Sequence, residues 1–207
     1  WWTSPAEKPQ VDRRRSTQLI DALYGMDLRA PDWTPFLHLV ASAFRSHVVT
    51  VQIHDRAHPH GQLTMAVGLP PRLLALHASL CCDHPWFERG ASRLLLEGIV
   101  DDRGLMPESE LRATRYYAEF MQEAGIGHGM AMLMHAQGRE DLALLTVNRD
   151  WETGHYNEPE IELARSLLPH LCNAYALQQR LGWLHHESRN FYAALDQLTD
   201  GVLLLNA

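Results

Sequence analysis

The sequence predicts an α+β fold, one antiparallel sheet flanked by helices and followed by a long C-terminal helix. Three observations predict it. Apolar residues recur at threes and fours in the first 45 positions, switch to strict alternation in two pairs of segments, and return to threes and fours after residue 157. The order of segments is ααββααββα, so strands are joined as hairpins rather than by βαβ crossovers. Turn-rich stretches at residues 55–61 and 137–140 separate the paired strands.

Each element follows from its residues. Residues 1–15, with Pro5 and Pro9 among polar neighbours, read as a loose leader. Residues 16–26 carry Leu19, Ile20, Leu23 and Tyr24 as a helical stripe. A second helix takes Asp32 as N-cap and Pro35 in its first turn, with Trp33, Phe36, Leu37, Val40 and Phe44 along one face. Val49, Val51 and Ile53 then alternate with Thr50, Gln52 and His54, and Leu63, Met65 and Val67 with Thr64 and Ala66, which predicts a hairpin. Pro70-Pro71 opens a helical segment over 73–80, broken at His84-Pro85, and residues 98–107 read as loop with one extended turn. Residues 108–124 are helical, with Tyr117, Phe120, Met121 and Ala124 on one side and Gly125 as the stop. Met130, Met132 and Met134 alternate along the next strand, and residues 142–147 form its partner.

Asn157, Pro159 and Glu160 form a capping-box start for a helix that runs to about Leu198. Leu167, Leu171, Ala174, Leu177, Leu181 and Leu184 make a seam suited to dimerisation, and Pro169 inside it predicts a kink. Asp200-Gly201 turns into the apolar run Val202-Leu203-Leu204-Leu205, a strand that needs partners, so residues 199–207 read as the truncated start of a second domain. The expected organisation is a leader over 1–15, a folded domain over 16–156, a linker and dimerisation helix over 157–198, and that start.

Composition narrows the function. Lys+Arg 18 against Asp+Glu 25 gives a net charge of −7, the wrong sign for gripping nucleic acid through phosphates. Lys8 is the only lysine, and the arginines are scattered apart from Arg13-Arg14-Arg15. No apolar run approaches the roughly 18 residues that span a bilayer, and no secretory signal is visible. Three cysteines are too few for a disulfide framework, which predicts a cytoplasmic protein.

No catalytic set assembles, so no enzyme and no cofactor is expected. His54, His58 and His60 flank one turn without a metal-binding spacing, and His185-His186 face different sides of a helix; no metal site is expected. Cys81-Cys82 read as buried small hydrophobes rather than a redox pair. Gly125-Ile126-Gly127-His128-Gly129 lacks the third glycine of a dinucleotide loop and lies between a helix and a strand, in the wrong order. Asp101-Asp102 read as solvated loop acids. The distinctive feature is the aromatic and methionine load of the middle third: His84, Trp86, Phe87, Tyr116, Tyr117, Phe120, Met121, Met130, Met132 and Met134. Facing one another from helix and strand, these would line a ligand cavity; the same set also describes a methionine-rich core, and both readings stand.

Taken in order, several segments resemble the N-terminal GAF/PAS-like sensor region of LuxR-type helix-turn-helix transcriptional regulators. They are Leu19-Ile20-Asp21-Ala22-Leu23-Tyr24, Trp33-Thr34-Pro35-Phe36-Leu37, His84-Pro85-Trp86, Thr114-Arg115-Tyr116-Tyr117-Ala118-Glu119-Phe120, Ala124-Gly125-Ile126 and Leu168-Pro169-His170-Leu171. Ala194-Leu195-Asp196-Gln197-Leu198 and Gly201-Val202-Leu203-Leu204-Leu205-Asn206-Ala207 resemble the entry to a PAS-like domain. The resemblance implies a GAF/PAS-like sensor domain, a small and partly apolar ligand, a homodimer, and DNA binding only through a C-terminal domain outside these residues. It also makes the long helix a signalling element. The family usually shows Asp-Pro where this chain has His84-Pro85, with Asp83 one residue off; in autoinducer-binding relatives that aspartate holds a ligand amide. The departure counts against an acyl-homoserine lactone here. The alternative is a protein–protein interaction or dimerisation module whose pocket is filled by its own side chains.

Overall fold

The computed structural model describes residues 13–27, 32–54, 63–80, 83–136 and 142–196, with side-chain surroundings given up to Leu181 in the last stretch. The leader before Arg13, the turns at 55–61 and 137–140, Cys81-Cys82 and the expected second-domain start lie outside the described residues, as do the side chains of His54, His185 and His186.

Two helices open the chain, α1 (Arg13–Tyr24) and α2 (Thr34–Ala43). The first hairpin is β1 (Val48–His54) with β2 (Leu63–Val67), in the register Val49↔Val67 and Val51↔Met65 that the alternation predicts. Next come α3 (Pro71–Leu80), α4 (Pro85–Glu97) and a short β3 (Ile99–Asp101) in the region read as loop. A brief α5 (Glu108–Arg112) and a π-helical turn (Tyr117–Met121) follow, then β4 (His128–Ala136) and β5 (Leu142–Arg149). The long α6 (Glu158–Asp196) continues through Pro169. The five strands form one antiparallel sheet in the order β2-β1-β5-β4-β3.

Residues 108–124 do not make the single helix expected. The Thr114 hydroxyl donates to the Leu111 carbonyl and accepts from the Tyr117 amide, so it ends one helix and starts another. The Gln122 amide then reaches back five residues to the Tyr117 carbonyl, widening the turn. Gly125 ends this stretch at φ +69°, the left-handed stop its position predicts.

The sheet is covered on both faces. On one, Val49, Val51, Met130, Met132, Met134, Ala143, Leu145 and Val147 pack against Leu19 and Leu23 of α1, Phe36, Leu37 and Val40 of α2, and Ala164, Leu167 and Leu171 of α6. On the other, α3, α4 and the π turn contribute Leu73, Leu80, Trp86, Tyr116, Tyr117, Phe120 and Met121 to a second cluster with Val48. The first half of α6 is thus part of the main core. Its capping box is made: the Glu160 amide donates to Asn157 Oδ1 at 3.0 Å and the Asn157 amide to Glu160 Oε2 at 2.8 Å. Glu160 also clamps α6 to the sheet, accepting two bonds from the fully buried Arg149 of β5 at 3.0 and 3.2 Å. Arg45 joins it at 2.9 Å, and the Arg149 guanidinium lies 3.9 Å from the Tyr156 ring centre.

Candidate functional site

The two faces of the sheet differ in chemistry. A sheet covered on both sides normally reads as apolar on both, and the face toward α1, α2 and α6 does. Toward α3, α4 and the π turn, the central strands β1 and β5 instead present Thr50, Gln52, Thr146 and Asn148. These bond among themselves: Thr50 and Thr146 share a hydrogen bond at 2.8 Å, Gln52 Nε2 donates to Thr50 Oγ1 at 2.9 Å, and Asn148 Nδ2 donates to Thr146 Oγ1 at 3.2 Å. Thr50 and Gln52 are buried, an expensive placement for polar groups unless every lone pair and proton finds a partner.

An aromatic wall lies on the same side. The Tyr116 ring lies tilted 4.6 Å from the His84 ring and edge-to-face at 5.3 Å from Phe120, and its hydroxyl shares a 2.7 Å hydrogen bond with His77 Nδ1. Trp86 covers Gly129 of β4; a Cβ there would sit 2.5 Å from the indole and 2.9 Å from Asn148 Oδ1, so only glycine admits this approach. His84 as a residue is partly exposed, yet its ring Nδ1 is enclosed without a hydrogen-bond partner. Burial first, and repulsion by His77 second, push its imidazole down to about 3, so it is neutral at physiological pH and keeps one unused polar atom inside the wall.

Beside this layer opens a crevice of about 520 Å³ lined by Trp86, Asp102, Arg112, His128, Trp151 and His155 among others. Tyr117 belongs to its edge: its hydroxyl accepts from Arg112 at 2.8 Å and from Trp151 Nε1 at 3.3 Å. Within the crevice Asp102 Oδ2 meets His128 Nδ1 at 2.8 Å and His155 Nδ1 at 3.3 Å.

The expected site residues therefore separate. His84, Trp86, Tyr116, Tyr117, Phe120 and Met121 gather on the α3/α4 side, while Phe87 packs against a small neighbouring cluster of Leu94, Val100 and Leu144. Met130, Met132 and Met134 do not face them. Strand alternation turns all three to the opposite face, into the core with α6, and leaves Gly129, Ala131 and Leu133 on the aromatic side. In the expected dimer seam, Leu167 and Leu171 are core residues against the sheet, Leu177 is 40% exposed, Leu181 is half-buried, and the side chain of Leu184 lies outside the described residues. Spacing at threes and fours reports an apolar face without saying whether the chain's own sheet or a partner covers it. Asp101 and Asp102 are buried rather than solvated, because the chain pairs there as β3. Of the polar ladder, Thr50 and Gln52 stand out in the alternation of β1, whereas Thr146 and Asn148 do not, and the sequence assigns no layer to either side of a strand.

No protein-family model and no curated protein matches the chain. Solved structures do. The VqsR LBD domain from Pseudomonas aeruginosa aligns at TM-score 0.57 and 14% identity, covering 82% of this chain and 96% of that one. The N-acylhomoserine lactone dependent LuxR family transcription factor CepR2 from Burkholderia cenocepacia gives 0.56 at 16%, over 83% of this chain and 96% of that one. The GAF domain of an Acinetobacter phosphoenolpyruvate-protein phosphotransferase gives 0.51 at 13%, over 84% and 98%. The fold is the α+β, GAF-like fold shared by LuxR-type sensor regions, as the sequence resemblance implies. Among the described residues, no helix is long and apolar enough to cross a membrane.

Proposed function

We propose that the chain is the signal-sensing region of a LuxR-type transcriptional regulator, binding a small, partly apolar molecule between the sheet and the α3/α4/π-turn layer. The observation that carries this reading is the contrast between the two sheet faces. Polar side chains on central strands, opposite an aromatic wall with an unused His84 nitrogen, suit a ligand with an apolar body and a polar end. His84 stands where the resemblance expects an aspartate, so the ligand's polar group meets a neutral imidazole, able to donate or accept one hydrogen bond, rather than a charged carboxylate.

Occupancy would bias the packing of the sheet on α6, and the Arg149–Glu160 clamp is the rigid link between them. From Leu177 the α6 backbone continues as helix to Asp196, about 28 Å at 1.5 Å per residue. That portion, with Leu177, Leu181 and Leu184, pairs two copies and carries the change toward a DNA-binding helix-turn-helix. No enzymatic activity is part of this reading.

Native mass spectrometry of gently purified protein tests it. The expected result is a co-purified molecule whose loss lowers thermal stability, with binding weakened by Tyr116→Phe or Trp86→Phe in folded protein. A protein without adducts, and without any melting shift from medium-chain fatty acids, monoacylglycerols or acyl-homoserine lactones, would point to the dimerisation module with a filled pocket.

A further inference from the structure

We propose that Asp102, His128 and His155, which line the crevice beside the aromatic layer, form a binding site for a zinc-class divalent cation. The three residues come from different parts of the chain: Asp102 directly follows β3, His128 opens β4, and His155 precedes α6 by three positions. Their potential ligand atoms lie within 4.8 Å of one another. Imidazole and carboxylate are the donors zinc accepts, with bonds of about 2.0–2.1 Å; tetrahedral angles then place neighbouring donor atoms about 3.3 Å apart. The observed separations of 2.8 and 3.3 Å from Asp102 Oδ2 to the two Nδ1 atoms need only a small outward shift to admit the ion.

Hydrogen bonding alone accounts for the arrangement poorly. A single imidazole N–H on Asp102 would suffice to hold His128, yet a second imidazole converges on the same oxygen, with ring centres 4.0 Å apart. Meanwhile Asp102 Oδ1, on a side chain only 8% exposed, has no partner at all. A cation between the three donors accounts for the convergence and, with the carboxylate bound through both oxygens, for the enclosed Oδ1; it repays the desolvation of the carboxylate and takes one lone pair from each imidazole.

The surroundings suit an open site rather than a closed structural one. His155 is half exposed on the crevice side, so the fourth position faces the 520 Å³ space. The nearby cations do not forbid the ion, since Arg112 is paired with Glu108 at 2.7 Å and Arg103 with Asp101 at 2.5 Å. A water or a small carboxylate would complete the coordination. Binding would tie the segment that starts α6 to the edge of the sheet.

The test uses tag-free, chelator-treated protein titrated with Co(II), followed by its visible ligand-field absorption, and with Zn(II) in competition with a chromophoric chelator. One equivalent is expected to bind, with Zn(II) displacing Co(II). His155→Ala and Asp102→Asn should each weaken binding at least tenfold, the scale seen on disturbing metal ligation, while His58→Ala/His60→Ala leaves it unchanged. Absence of a saturable equivalent in the wild type, or equal affinity in His155→Ala, overturns the proposal. Should Asp102→Asn fail to fold by circular dichroism, the half-exposed His155 decides alone.

Discussion

Acid sensitivity offers a direct measure of how tightly the His84 ring is enclosed. In the folded chain its imidazole is held at about 3 instead of the usual 6.5, through burial and the neighbouring His77. Between these values the unfolded chain takes up a proton that the folded chain refuses. The folded state therefore keeps its full advantage above pH 6.5 and loses it progressively as pH falls from 6.5 toward 3. At pH 5 the unfolded ring is 6.5 − 5 = 1.5 units below its pKa, which at 1.36 kcal/mol per unit favours unfolding by about 2 kcal/mol. Urea unfolding at pH 7.5 and pH 5, run on wild type and His84→Asn, reads this contribution together with its coupling to His77, because the carboxylates are common to both proteins. The wild type should lose about 2 kcal/mol more than the variant on acidification. Equal losses would mean that the ring is solvated and that no enclosed imidazole nitrogen exists in the aromatic wall.

Other perturbations follow from the same geometry. Gly129→Ala drives a Cβ into Trp86 and Asn148, so it should cost about 1–3 kcal/mol in thermal unfolding and shift tryptophan fluorescence. Arg149→Met leaves Glu160 buried with Arg45 as its remaining cation, so the loss should be about 3 kcal/mol, the low end for a broken buried pair, read by urea denaturation. For Glu160 itself burial works upward, but bonds from Arg149, the Asn157 amide and Arg45 prevail and hold it below its ordinary 4.5. Its contribution is thus present above pH 4.5 and lost as pH falls through the lowered folded value; Glu160→Gln should flatten the acid limb of the stability curve. Leu177→Glu, on an exposed position of α6, should shift sedimentation equilibrium toward monomer with native circular dichroism, and should remove any concentration dependence of the melting temperature.

Where periodicity is long and flanked by caps, the chain is readable without coordinates. Asn157 and Glu160 announce the start of α6, and the Val49/Val51 alternation announces β1, because capping and pleating depend on neighbours in sequence. The β3 strand was missed since three residues carry too little pattern, and its pairing with β4 is a tertiary event. The split of residues 108–124 turns on one threonine hydroxyl competing for backbone groups. The candidate pocket residues can be picked out by type but not by side. Tyr116, Trp86 and His84 do converge, whereas the methionines of β4 carry the same apolar signature and point into the other layer. Asp102, His128 and His155 are 26 and 27 positions apart in turn, beyond any local motif, and only the folded sheet brings them together.

The polar ladder is the heart of the account, and Gln52→Leu probes it most directly. Leucine fills a similar volume, and the Thr50–Thr146 hydrogen bond survives. Thermal melts with and without medium-chain acyl compounds should show a folded variant, unchanged in stability or stabilised by up to about 1 kcal/mol. The compound-induced melting shift expected of the wild type should be lost. An undiminished shift in the variant, or a large loss of its intrinsic stability, would make Gln52 an ordinary core residue and contradict the assignment of this face to a ligand.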